Sequence, residues 1–200
     1  MSEKDQDQAL LSPVLKSKAI ATAEARARET RVLRALFEPA TVAIVGASAR
    51  EGSVGHAVFQ NLLKTGFSGT LYPVNPKRKS IQGVRCYPDL LAVDDDIDLA
   101  VVVIPAAGVP DLLDTCAEKG VKSAIVISAG FKEAGEAGVA LEQRIREKAQ
   151  AANIALLGPN CLGLINTDKA VRMNASFARC MAKPGNIAFM SQSGALCTSI

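Results

Sequence analysis

The chain has 200 residues, 48% of them hydrophobic, a formal net charge of +3, and 4% aromatic residues with no tryptophan. That is enough apolar material for the core of one ordinary domain plus extras. Basic residues spread along the chain, with few rings to stack on bases, argue against nucleic acid binding.

Residues 1–35 stand apart. They carry many charges and no glycine, with a helix-forming stretch from Ala19 to Leu36. This predicts a solvated helical extension. Phe37-Glu-Pro39 breaks it and leads into the first strand. From residue 41 the chain alternates. Thr41–Val45 predicts a buried strand stopped by Gly46, Val54–Lys64 a helix, and Thr70–Val74 a second strand after the glycines at 66 and 69. Asp98–Ile104 predicts the clearest buried strand, closed by Pro105. A helix over Val109–Lys119, a strand over Ser123–Ile127, a helix over Gly135–Ala152 and a strand over Ile154–Leu157 follow. Strands separated by helices of this length imply right-handed βαβ units and a parallel sheet, a Rossmann-like, doubly wound α/β fold.

After Leu157 the rhythm changes. Gly158 to Asn166 predicts a turn and a short strand, and residues 167–183 an irregular connection. Gly185–Ser191 then predicts a strand, and Gln192–Ile200 the start of a helix with no stop signal. The expected organisation is a helical extension over 1–35, a Rossmann-like domain over 36–183 and the beginning of a second α/β domain over 184–200. The chain reads as the N-terminal piece of a longer protein.

The stretch with the most chemistry in it is Thr41-Val-Ala-Ile-Val-Gly-Ala-Ser48, followed by Gly52-Ser-Val-Gly55. A strand running through a glycine turn into a helix presents backbone N–H groups and the positive end of the helix dipole to a phosphate. Gly46 permits the tight exit, Gly52 admits the phosphate, and Gly55 allows close helix–strand packing. NAD-binding chains place an acid at the end of the second strand to accept from a free ribose hydroxyl. Here that position is Asn75, with Lys77, Arg78 and Lys79 just after it. A phosphorylated ribose suits these residues better, which leaves coenzyme A or NADP as the ligand.

Pro105 and Ser128-Ala-Gly130 close two further strands at their carboxyl ends, where ligands sit in open α/β sheets. Ser191-Gln-Ser-Gly194 offers a second anion site or, equally, a plain helix N-cap. His56, the only histidine, reads as a helix-start residue rather than a covalent catalyst. Five cysteines without Cys-x-x-Cys spacing exclude a Cys/His zinc site and point to a reducing compartment. The charged N-terminus lacks a signal peptide's apolar core, and no run approaches the ~20 apolar residues of a membrane span. The expectation is a cytoplasmic protein.

In order and spacing, Val45-Gly-Ala-Ser48, Gly52-Ser-Val-Gly55, Tyr72-Pro-Val-Asn-Pro-Lys77, Ile127-Ser-Ala-Gly-Phe131, Leu157-Gly-Pro-Asn-Cys-Leu-Gly163 and Met190-Ser-Gln-Ser-Gly194 resemble one family. It is the N-terminal CoA-binding domain of ADP-forming acyl-CoA (acetate–CoA) ligases, in the succinate–CoA ligase superfamily. The likeness covers about residues 36–200.

The resemblance implies an enzyme that interconverts acyl-CoA, ADP and phosphate with a small carboxylic acid, CoA and ATP. ATP or ADP with Mg would belong to an ATP-grasp domain or subunit of an oligomer. In that family the phosphoryl group rides on a histidine in the following domain, and His56 does not match it, so no catalytic residue is expected in this chain. By the family's pattern Ser48, Gly52, Ser53, Val54, Gly55, Asn75, Lys77, Pro105 and Ala129 would line the CoA site. Asn160 and the turn Ser191, Ser193, Gly194 would lie near the phosphoryl-transfer end. A CoA-binding regulatory region of a protein lysine acetyltransferase and a stand-alone CoA-binding protein are the alternatives.

Overall fold

A computed structural model of the chain describes residues 13–194 and 196. Residues 1–12, Cys197 and most of the helix start expected over 192–200 lie outside the described residues. The elements are α1 (Pro13–Phe37), β1 (Thr41–Val45), α2 (Val54–Thr65), β2 (Thr70–Val74), β3 (Ser80–Ile81), β4 (Val84–Arg85), β5 (Leu99–Val102), α3 (Val109–Lys119), β6 (Ser123–Val126), α4 (Glu136–Ala151), β7 (Ala155–Leu157), β8 (Gly163–Asn166) and β9 (Met173–Ser176).

Five strands form one parallel sheet in the order β2-β1-β5-β6-β7. This is the doubly wound α/β architecture expected, and its order reverses between β1 and β5. The alternation along β1 shows why both faces need cover. Ala43 and Val45 join a core with Val102, Leu113 of α3 and Ile145 of α4. Val42 and Ile44 join the opposite core with Phe59 and Leu62 of α2 and Met173 of β9. Strands buried on both faces read as continuous apolar runs, which is why they were visible in the sequence. The last turn of α1 adds Leu36 to the second core, while most of its residues from Ile20 to Arg34 are exposed. No described helix is long and apolar enough to cross a membrane.

Three expectations need correction. Residues 167–183 are not simply irregular, because β9 pairs antiparallel with β8 and is buried throughout. Its sequence, Met-Asn-Ala-Ser, hid it, since two of the four side chains are polar. Asn174 and Ser176 bond each other at 2.6 Å, and Asn61 of α2 donates to the Ser176 and Ala178 carbonyls at 2.8 Å. Satisfied in this way, polar groups can be buried. Conversely, 185–191 forms no strand. It pairs with none of the described residues, and Ile187 and Met190 are 92% and 95% exposed. Third, a β3–β4 hairpin stands where no element was expected, turning at Gln82-Gly83, both with positive φ.

The amino-terminal edge of the sheet is tied together by Asp98. Its carboxylate accepts from the Ala40 N–H at 2.8 Å and from Lys122 Nζ at 2.6 Å. Its own N–H donates to Thr41 Oγ1 at 2.9 Å, and its carbonyl accepts from the N–H and the hydroxyl of Ser123, each at 3.0 Å. One residue thus joins β1, β5 and β6. Burial works against its charge, but Lys122 and the neighbouring backbone N–H groups outweigh that and hold the carboxyl below its ordinary range. Such a group stabilises the fold above its unfolded pKa and loses that contribution as pH falls through the folded value. Asp98→Ala is expected to cost about 2 kcal/mol near neutral pH. The gap to wild type should narrow as pH drops below about 4, which urea unfolding at pH 7 and pH 3 will measure.

Candidate functional site

The order reversal between β1 and β5 opens a crevice at the carboxyl edge of the sheet, the position where open α/β sheets take ligands. The chain leaves β1 through Gly46, whose N–H donates to the Val74 carbonyl at 3.0 Å. The loop that follows is knotted by its serines. Ser48 Oγ accepts from the Arg50 N–H at 3.0 Å, and Ser53 Oγ donates to the Arg50 carbonyl at 2.7 Å. Ser53 is the N-cap of α2, accepting from the His56 N–H at 3.3 Å. The N–H groups of Val54 and Gly55 meet no protein acceptor among the described residues. They point a partial positive charge out of the helix end.

Two glycines are required here for different reasons. A Cβ on Gly55 would stand 2.2 Å from the Gly46 carbonyl oxygen, so the helix lies directly on the strand exit. Gly52 has φ +76° and open space where a Cβ would be. It is needed for its backbone conformation, and its free side leaves room for an approaching group.

Asn75 is a joint. Its Nδ2 donates to the Ala47 carbonyl at 2.8 Å, its Oδ1 accepts from the Lys77 N–H at 2.9 Å, and its N–H donates to the Tyr87 carbonyl at 2.8 Å. The ends of β1 and β2 are thereby locked side by side. Asn75 and Lys77 line a shallow cleft of about 350 Å³ together with Val45, Ile104, Leu112, Thr115 and the acidic Asp89, among others. Lys77 also lines a second cleft of about 490 Å³ with Arg78, Lys79 and Arg85. None of these four cations belongs to an ion pair among the described residues.

Pro105 and Ala129 are exposed at the ends of β5 and β6. Ser128 Oγ ties the two loops by donating to the Ile104 carbonyl at 2.5 Å. Beside them the Asn160 N–H donates to the Ser128 carbonyl at 3.0 Å, and Asn160 holds φ +52°. Glu133 accepts from the N–H groups of Gly130 and Phe131 at 2.6 and 3.2 Å, and the Gly130 bond leads in keeping its carboxyl low.

Ser48, the Gly52–Gly55 loop, Asn75, Lys77, Pro105, Ala129 and Asn160 therefore share one edge of the sheet. Ser191 is half-buried, and Ser193 and Gly194 are exposed. Ser193 accepts from the Leu196 N–H at 3.3 Å, as a helix cap would, and no hydrogen bond among the described residues ties this turn to the crevice.

The thiols nearby are held in their protonated form. Burial pushes Cys161 up to about 11 and also raises Cys86. His56 has its ring Nδ1 3.4 Å from Gln82 Nε2, so it bridges α2 to the hairpin turn. Among the described residues no group of His, Cys, Asp or Glu could hold a metal ion. The chemistry on offer is binding: free backbone donors, a row of cations and a partly apolar cleft. Arg85 and Tyr87 escaped the sequence reading. The Gln82-Gly83 pair between Ile81 and Val84 was the available signal, weaker than Asn-Gly.

The family model described as CoA binding domain matches residues 40–167. The chain is 48% identical over 165 residues to acetate–CoA ligase [ADP-forming] I of Archaeoglobus fulgidus, covering 82% of this chain and 24% of that protein. It is 42% identical over 168 residues to the alpha subunit of acetate–CoA ligase [ADP-forming] I of Pyrococcus furiosus, covering 82% of this chain and 36% of the subunit. The chain thus spans about a quarter to a third of the length of these relatives. Among solved structures, a dinucleotide forming acetyl-coenzyme A synthetase 1 of Ca. Korarchaeum cryptofilum, in complex with phosphate and ADP, superposes with a TM-score of 0.77 at 40% identity. The match covers 84% of this chain and 35% of that one.

The two glycines separate packing from backbone conformation. Gly55→Ala is expected to destabilise the fold by about 2 kcal/mol or more, because backbone must move to admit the Cβ. Gly52→Asn should stay within about 0.5 kcal/mol, since asparagine tolerates the left-handed region. Thermal melts of the two variants check the division, and equal losses would contradict it.

Proposed function

We infer that this chain, which belongs to the CoA-binding domain family, serves as the CoA-binding part of an ADP-forming acyl-CoA ligase. The observation that carries this reading is one juxtaposition. A capped helix start with free N–H groups lies beside a row of unpaired cations at the switch point of the sheet.

On this reading the amides of the Gly52-Ser53-Val54-Gly55 loop hold the pyrophosphate, with Ser48 bracing the loop. Asn75 fixes the end of β2 so that Lys77 meets the phosphate on the ribose. Pro105 and Ala129 border the pantetheine arm, which leaves the sheet edge extended. The protein's contribution is then positional: clamping the nucleotide end presents the thiol to an acyl group without any nucleophile of its own. Asn160 stands toward the phosphoryl-transfer end, joined there by Ser191, Ser193 and Gly194 in the assembled enzyme.

The full reaction converts a small carboxylic acid, CoA and ATP to acyl-CoA, ADP and phosphate through a phosphohistidine outside this chain. ATP and Mg would be handled by an ATP-grasp domain or partner subunit. The relative named as an alpha subunit supports a partner chain. Residues 36–183 form the CoA-binding domain, 1–35 an extension and 184–200 the start of the next domain, in a cytoplasmic oligomer.

Calorimetric titration tests the reading. The purified chain should bind CoA, and it should form no acyl-CoA from acid, CoA and ATP. Lys77→Ala should weaken CoA about tenfold, as loss of a charge-assisted contact does, while dephospho-CoA loses much less. Equal losses for both ligands would show that Lys77 only shapes the loop. Failure of the chain to bind CoA at all would overturn the function.

A further inference from the structure

The outer cleft carries more positive charge than the molecule as a whole. Lys77, Arg78, Lys79 and Arg85 all line it, within nine residues of sequence, whereas the whole chain is only +3. None of them has a carboxylate partner among the described residues. Like charges gathered without ion-pair partners repel one another, and an anion placed among them relieves that repulsion.

Three of these cations follow one another on a turn after β2. Arg85 arrives separately, on the far strand of the β3–β4 hairpin, opposite Ser80. The hairpin is fastened to the end of β2 through Tyr87. The Cys86 N–H closes the base of the hairpin by donating to the Lys79 carbonyl at 2.9 Å, and the Tyr87 N–H reaches the sheet by donating to the Pro73 carbonyl at 2.9 Å. The Tyr87 carbonyl then accepts from the Asn75 N–H at 2.8 Å. Arg85 is therefore fixed relative to the residue that also positions Lys77.

Its head group is held as well. The guanidinium carbon lies 5.1 Å from the centroid of the Tyr87 ring. That ring packs edge-on against Tyr72, centroids 5.8 Å apart, and the Tyr72 hydroxyl donates to Asp95. An arginine parked on an aromatic face loses part of its rotamer freedom before any ligand arrives, yet keeps the edge of its fork free. That planar edge matches two oxygens of a phosphate, which a lysine ammonium meets only as a point charge.

We propose that Arg85 is the second cation for the phosphate on the ribose of CoA, reaching it from the hairpin while Lys77 reaches it from the end of β2, and that Arg85 sets the preference for a ligand carrying that phosphate. The proposal rests on the CoA reading given above. It adds a specificity residue outside the glycine loop and gives the hairpin a purpose.

The test is titration of the whole chain, unaltered and as Arg85→Gln and Arg85→Lys, with CoA, dephospho-CoA and NADP. Arg85→Gln should weaken CoA about tenfold and leave dephospho-CoA within about twofold. Arg85→Lys should restore only part of the loss, because the charge returns without the fork. The dependence of CoA affinity on salt should become shallower in Arg85→Gln. Because Arg85 is exposed, both variants should melt with the unaltered chain. Equal weakening of CoA and dephospho-CoA, or no change in either, overturns the proposal while the CoA reading stands. Equal affinity of the unaltered chain for the two ligands does the same. Tighter binding of NADP than of CoA, or binding of neither, overturns the reading and the proposal together.

Discussion

The backbone of α2 rests on the exit of β1 so closely that a single methyl group at Gly55 would collide with the Gly46 carbonyl. Most of what this molecule can do depends on that contact. It sets the open end of α2, with the Val54 and Gly55 N–H groups, at the exit of β1 beside the point where the strand order reverses. A helix held a side chain's width further away would still cap and still pack, but its free donors would face solvent.

The two ends of the sheet show opposite treatments of polar groups. At the amino-terminal edge Asp98 gathers bonds from Ala40, Thr41, Lys122 and Ser123, so that three strands meet around one satisfied carboxylate. At the carboxyl edge satisfaction is deliberately incomplete. Backbone donors at α2 and the cations of the outer cleft lack protein partners among the described residues, while the joints that hold them, Asn75 and Ser53, are fully engaged. Stability is concentrated in the supports, and binding capacity in the groups they present.

The sheet and its helices were legible because each strand of the parallel sheet is a short apolar run closed by glycine or proline, a pattern with one reading. Strand ends moved by only a residue or two, as when Asp98–Ile104 became Leu99–Val102. What escaped was structure made by pairing rather than by pattern. The strand β9 is polar at alternate positions and owes its burial to Asn61, a residue over a hundred positions away. The apolar stretch 185–191, by contrast, looked like a strand and has no neighbour among the described residues to make it one. The site divides in the same way. Lys77, Arg78 and Lys79 are contiguous and stood out, whereas Arg85 joins them only through a two-residue hairpin. The Ser191–Gly194 turn belongs with the site by motif alone, and no hydrogen bond among the described residues ties it there.

The bond between Tyr87 and Pro73 has a consequence for how copies or partners can meet this molecule. β2 is an outer strand of the sheet, the kind of open edge along which foreign strands add. The Pro73 carbonyl faces outward and is taken by Tyr87, and proline has no N–H to offer on that side. The next outward-facing donor, on Asn75, is taken by Tyr87 as well. The edge is thus sealed along its carboxyl half, leaving too short a row to template another strand. Growth of the sheet through β2 is closed, and a neighbour on this side must dock through side chains and loops.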